Sequence, residues 1–399
     1  MSRSRFLKTK PIALASCLLA LTCIVPATAS AGPRKVPKGF IGVDFDPWKA
    51  SAHGLKASNE LRIAANSGVE TVRFPLYWSK VQRTKTSYSW AALDSFFAEA
   101  AKRRLNLVPT VMGAPIWAAD RRYNGKRSPT KLLIPANYSL YAAFITKLAL
   151  RYGSNGSFWR AHPAYPKTAV KVWQVWNEPD LPYYWPSHTG EVQTVTVNGR
   201  RVRSKGLYWA PTYVRLLRMA RTALRSSDPR AQLMLGSMTN QVWGPKGLRL
   251  AYRSGAKGSF DLVGVNIFAG TVPQLRTALG YVTNLMNQYG DRSTKLTVTE
   301  LSWLAARGKL RKGTNMAWIV TDPAGQARQL KSALNMLAAY RTAGRITGAY
   351  WYSWISTYRG NNSGWYYSGL RSFGLRRGTA GSRTSLATYR ATALRLEGR

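Results

Sequence analysis

Apolar residues along the chain keep two rhythms. Short apolar runs lie at Phe40 to Phe45, Thr71 to Tyr77, Leu107 to Met112, Val170 to Trp176, Gln232 to Ser237, Leu262 to Phe268, Leu296 to Glu300 and Ile346 to Trp354. Their lengths predict strands. Between them apolar positions recur every three or four residues, as at Leu330, Leu334, Leu337 and Ala338, the spacing of a helix with one buried face. Helices are predicted over Leu55 to Asn66, Leu93 to Arg104, Tyr138 to Tyr152, Ala210 to Arg225, Leu248 to Arg253, Val272 to Tyr289 and Ala324 to Tyr340, with an eighth in the tail at Leu386 to Leu396. Strands alternating with helices imply a parallel sheet, and eight strands is the number of a (β/α)8 TIM barrel. The expected fold class is α/β, a single barrel domain over residues 32–399.

One insertion breaks the alternation. Val192 to Val202 alternates apolar and polar residues around Asn198-Gly199, which predicts a β-hairpin after the fourth strand. Loops after the strands build the active site of such a barrel, so the hairpin either shapes the cleft or decorates the surface.

The N-terminus follows a different pattern. Four basic residues in the first ten precede an apolar run from Ile12 to Pro26 and the small residues Ala27 to Ala31. That is the layout of a secretory signal peptide over residues 1–31, with cleavage expected after Ala29 or Ala31 and a secreted product. The run is too short to span a bilayer, and no later segment is apolar enough to do so. A lipoprotein signal at Leu14 to Cys17 is the lesser alternative, because the apolar run continues past Cys17. Both cysteines, Cys17 and Cys23, lie in the leader, so no disulfide or metal thiolate is expected in what remains.

Charge complicates the picture. The chain has 59 basic and 16 acidic residues, a net charge of +43, of which about +39 remains without the leader. A polyanionic partner such as a nucleic acid, a uronic-acid polymer, teichoic acid or an anionic cell surface is one reading. The preferred reading is dispersal over helix faces, as at Arg215, Arg218, Arg221 and Arg225, giving only weak attraction to anionic polymers or the cell surface. No nucleic-acid motif accompanies the charge.

With so few acids, carboxylates in special settings stand out. Breaking a glycosidic bond needs an acid to protonate the departing oxygen and a second carboxylate to attack carbon or activate water. Side chains at strand C-terminal ends converge on one mouth of a parallel barrel. Glu178 ends the fourth strand in Trp176-Asn177-Glu178-Pro179, and Glu300 ends the seventh before Leu301-Ser302-Trp303.

These motifs resemble the clan A glycoside hydrolases, the (β/α)8 superfamily that contains families 5 and 39, across nearly the whole chain beyond the leader. The resemblance implies a retaining double displacement with Glu178 as acid/base and Glu300 as nucleophile, their carboxyl groups about 5 to 5.5 Å apart. It implies that Asn177 bonds the sugar 2-hydroxyl and that Arg73, in Thr71-Val-Arg-Phe-Pro75, keeps the nucleophile ionised; salt bridging within the barrel is Arg73's other reading. Trp354, in Tyr350-Trp-Tyr-Ser-Trp354, resembles the sugar-platform Trp, although Trp351 lies on the opposite face and competes for that place. The sixth strand departs from the pattern. Asn266 and Phe268 stand where many relatives carry His and Tyr, so one hydrogen bond to the nucleophile is expected to be missing.

Further substrate-binding candidates are Trp176, Asn266, Trp117 and Trp303, among many aromatics after strands that include Trp78, Tyr183, Tyr184, Trp185 and Trp365. Asp44, Asp46 and Asp180 either touch sugar hydroxyls or cap loops. His53, His162 and His188 show no metal-ligand spacing, and no metal or cofactor is expected. The substrate is expected to be an oligo- or polysaccharide. A catalytically impaired carbohydrate-binding barrel, suggested by the sixth strand, and a polyanion-binding barrel, suggested by the charge, are the alternatives.

Overall fold

A computed structural model describes residues 32–120, 132–182, 184–185, 192–197, 200–205, 209–239, 244–310, 316–356, 364–374 and 376–399. The expected leader, Tyr183, His188 and the Asn198-Gly199 turn lie outside them. The strands run β1 (Ile41–Asp44), β2 (Thr71–Tyr77), β3 (Asn106–Met112), β4 (Val172–Asn177), β5 (Val192–Val197), β6 (Arg200–Lys205), β7 (Gln232–Thr239) and β8 (Leu262–Asn266). They continue with β9 (Lys295–Leu301), β10 (Leu304–Ala305), β11 (Val320–Thr321), β12 (Ile346–Trp351), β13 (Ile355–Ser356), β14 (Arg371–Phe373) and β15 (Ala380–Ser382). The helices are α1 (Pro47–Ala52), α2 (Ala57–Asn66), α3 (Trp78–Val81), α4 (Ala91–Lys102), α5 (Tyr138–Tyr152) and α6 (Ser157–Ala161). After them come α7 (Trp209–Ser227), α8 (Lys246–Arg253), α9 (Val272–Gln288), α10 (Pro323–Tyr340) and α11 (Thr384–Glu397).

Eight strands close into a parallel barrel in the order β1-β2-β3-β4-β7-β8-β9-β12. Each of the eight expected strands is there, and each of the eight expected helices packs outside it. The strands bury nearly every residue, since helices cover one face and the opposite strands the other. Helix starts follow from their caps. Asp46 accepts from the backbone N–H groups of Trp48 and Lys49 at α1, Thr271 and Gln274 form a capping box on α9, and Asp322 caps α10.

β5 and β6 pair antiparallel from Val192↔Lys205 to Val197↔Arg200, an insertion between β4 and α7. A second addition follows β12, where β13, β14 and β15 form a small sheet. It is tied to α2 by a buried ion pair. Arg371 Nε donates to Glu60 Oε2 at 2.8 Å, and Trp354 Nε1 donates to the same oxygen at 2.9 Å. No helix among the described residues is long and apolar enough to cross a membrane.

Candidate active site

Polar side chains gather inside the barrel near the C-terminal ends of its strands. Arg73 on β2 is their hub, only 3% exposed. Its Nη1 donates to Asp44 Oδ2 at 2.5 Å and Glu300 Oε1 at 2.8 Å, its Nη2 to Asn177 Oδ1 at 2.6 Å and its Nε to Gln174 Oε1 at 2.8 Å. A guanidinium suits this place because its fixed fork of donors satisfies several acceptors at once. Beneath lies a belt of neutral groups. Gln174 Nε2 donates to Ser237 Oγ at 2.7 Å, Ser237 and Thr299 share a 2.6 Å bond, and Thr299 Oγ1 lies 2.9 Å from Asn266 Oδ1. With its oxygen engaged by Thr299, the Asn266 amide is oriented to donate to Glu178 Oε1 at 2.8 Å.

The backbone presents Glu178 through an irregular strand end. Trp176 and Glu178 have φ of 68° and 43°, in the left-handed region that side chains with a Cβ enter only at a cost of about 1–2 kcal/mol. The Glu178 N–H donates to Ser237 O at 2.9 Å. Asp180, two residues on, accepts from the Thr239 backbone N–H and hydroxyl and so fastens the turn to β7. Strain held in place by such bonds is characteristic of functional positions.

The two carboxyls differ electrostatically. Burial pushes the Glu178 carboxyl well above the usual carboxylate range, the charge of Glu300 pushes it further, and the Asn266 amide opposes both. Burial raises Glu300 too, but the Arg73 guanidinium holds it at about 7. Glu300 therefore loses its proton first and Glu178 keeps one, the division of roles an acid and a nucleophile need. The Asn266 amide favours the charged form of Glu300 as well as that of Glu178. The Asn266 amide donates to Glu178 and Asn177, so it does not supply the hydrogen bond to Glu300 expected to be missing at the sixth strand.

The structure brings Glu178, Glu300, Asn177, Arg73 and Asn266 together. Three other candidates are corrected. Trp176 is fully buried, packed against Trp185 and donating to Tyr184 O at 3.0 Å. Trp303 is 2% exposed and donates to Gly270 O, and Trp354 is 1% exposed on Glu60. None of these rings offers a face to a ligand. Trp351, the alternative to Trp354, is also fully buried, donating to Ser368 O. Trp117 remains half-buried in the segment that follows β3, edge-on to Trp78. Trp78 and Trp185 belong to the core.

Aromatic faces come from elsewhere. Tyr352 follows β12, Phe268 follows β8 and Trp365 reaches the same place, all three half-buried, with Phe268 centred 6.1 Å from Tyr352 and 4.6 Å from Trp365. Because β9 lies between β8 and β12, this cluster sits beside Glu300. Trp318, 48% exposed, donates to Phe268 O at 3.1 Å. Asp46 is the α1 cap rather than a free acid. Sequence reasoning also missed Gln174, Ser237 and Thr299, which were visible as polar residues within otherwise apolar strands.

No protein-family model and no curated protein sequence matches the chain. Solved structures do. A family 39 glycoside hydrolase from the gut symbiont Bacteroides cellulosilyticus superposes with a TM-score of 0.60 at 15% identity, covering 91% of this chain; the chain spans only 64% of that protein's length. The virulence factor SghA from Agrobacterium tumefaciens gives 0.61 at 12% identity, with 91% and 98% of the two chains covered. A β-glucosidase from Pyrococcus furiosus gives 0.58 at 13%, with 90% and 96% covered. At such identities the likeness is one of fold.

Proposed function

We propose that the protein is a secreted retaining glycoside hydrolase acting on the β-linked sugars of an oligo- or polysaccharide. The observation that carries this reading is the pairing of two buried carboxyls, one held near Arg73 and the other against Asn266. The glycosidase fold of the structural neighbours supports it.

In the reaction, a Glu300 oxygen attacks the anomeric carbon while the bond to the leaving oxygen breaks and Glu178 delivers its proton to that oxygen. Water then attacks the glycosyl-enzyme, giving its proton to Glu178 and releasing Glu300. Arg73 keeps Glu300 ionised before attack, and its bond to Asn177 Oδ1 fixes the Asn177 amide, whose Nδ2 bonds to nothing among the described residues and is available to a sugar hydroxyl. Phe268, Tyr352 and Trp365 supply flat faces for sugar rings.

A 2-fluoro glycoside with a good leaving group tests the reading. Mass spectrometry of the peptide bearing Glu300 should show one added glycosyl group, and Glu300→Gln and Glu178→Gln should each lose hydrolysis while remaining folded. Near wild-type turnover in either variant ends the assignment. Tight sugar binding without turnover across a glycan panel would instead favour the impaired, binding-only barrel. Secretion is tested separately: the exported protein should begin at Ser30 or Gly32.

A further inference from the structure

At the end of the barrel opposite the carboxylates, two adjoining cavities of about 260 and 320 Å³ open around the starts of the strands. Asn106, Thr71 and Lys295 mark those starts on β3, β2 and β9. Five cations line the pair: Lys38, Lys171 and Lys295 around the first, and Arg104 and Lys167 with Lys38 and Lys171 around the second. No carboxylate lines either cavity, and among the described residues none of the five makes an ion pair. The neighbouring acid, Glu70, is engaged by Arg34 at 2.7 Å and by the Gly39 N–H at 2.6 Å. The Thr168 hydroxyl, which is shut off from solvent and has no partner, lies in the wall of the second cavity.

Gathering five like charges around two adjoining cavities is unfavourable by Coulomb's law, and each added cation raises the potential there. A bound anion reverses the sign of that cost. Four of the five are lysines, compact point charges on flexible stems that suit a tetrahedral oxyanion with charge on several sides, whereas a planar carboxylate favours the arginine fork. Two adjoining cavities sharing Lys38 and Lys171 fit anionic groups in series better than a single ion.

We propose that the floor of the barrel is a binding site for a small oligophosphate, two or three linked phosphate groups spanning the two cavities. The site is independent of the hydrolytic reading, since none of its residues belongs to the catalytic end.

Calorimetric titration of the full chain with inorganic tripolyphosphate tests it, using the triple variant Lys38→Gln/Lys171→Gln/Lys295→Gln and a control that removes equal charge from exposed lysines elsewhere, Lys147→Gln/Lys246→Gln/Lys331→Gln. The wild type should bind one equivalent, the floor variant about tenfold or more weakly, and the control within about twofold, with orthophosphate far weaker than tripolyphosphate throughout. Equal losses in the two triple variants would mean that net charge alone attracts the anion and would overturn the site. So would the absence of a saturable one-to-one isotherm.

Discussion

Glu178 and Glu300 carry the same functional group into different surroundings, and the difference is measurable. Activity needs Glu300 ionised and Glu178 protonated, so kcat/KM should rise through the Glu300 value of about 7 and fall again at higher pH as Glu178 ionises. Arg73 lowers Glu300, so Arg73→Gln should move the rising limb to higher pH and cut kcat by about 10²–10³. Arg73→Lys should keep more of the limb's position than of the rate, because it retains the charge and loses the fork; an unmoved limb in Arg73→Gln would remove the guanidinium from the mechanism. Stability gives a second handle on Glu178. A carboxyl whose folded-state pKa is raised favours folding when protonated, and that contribution is lost as pH climbs above the unfolded value of about 4.3. Glu178→Gln should therefore melt higher than the wild type at about pH 8, with the gap closing near about pH 4. Membership of the site was legible in the sequence where a polar residue interrupted or ended an apolar strand, as at Arg73, Asn177, Glu178 and Glu300. The tryptophans misled because a ring beside a candidate catalytic residue serves the core equally well, and the positive φ of Trp176 leaves no mark in the sequence.

Among the elements, the sheet of β13 to β15 is tied to α2 by a buried contact whose energetics are lopsided. Glu60 on α2 accepts from both Arg371 and Trp354, with Glu60 1% and Arg371 6% exposed. Removing one partner of such a pair leaves an uncompensated buried charge, so Glu60→Ala should cost about 3–5 kcal/mol in urea denaturation. Replacing both, as Glu60→Leu/Arg371→Met, should cost much less because no charge is then stranded. If the single change costs no more than the double, the pair does not anchor the sheet. This sheet was invisible in the sequence for a physical reason. Its strands are two or three residues long, too short for periodicity, and they exist because Arg371 and Trp354 find Glu60 three hundred residues away in sequence. The same holds for the four- to six-residue helices α1, α3 and α6. The barrel strands and long helices were legible because each repeats one pattern over enough residues to name its period.

Over the whole molecule, the scarcity of acids and the excess of basic residues have one geometric consequence. Among the described residues, nine of the fifteen carboxylates, including Asp44, Glu60, Glu178, Asp291 and Glu300, are buried. The outer surface of the described residues is therefore more basic than the composition alone suggests, and its cations largely face one another through solvent. Such self-repulsion destabilises the compact state and is relieved by salt, because the screening length falls from about 30 Å at 0.01 M to about 10 Å at 0.1 M. Melting temperature should rise by about 2–4 °C between those two potassium chloride concentrations. The buried Glu60–Arg371 pair, out of reach of the ions, should be insensitive to the same change, so the denaturation cost of Glu60→Ala should be equal at both. A melting temperature that falls with salt would mean that ion pairs at the surface, such as Arg151–Asp94 and Arg225–Asp261, outweigh the repulsion. Exposed pairs of that kind contribute about 0–1 kcal/mol each, and the described surface has too few acids to form many of them. The repulsion should therefore win.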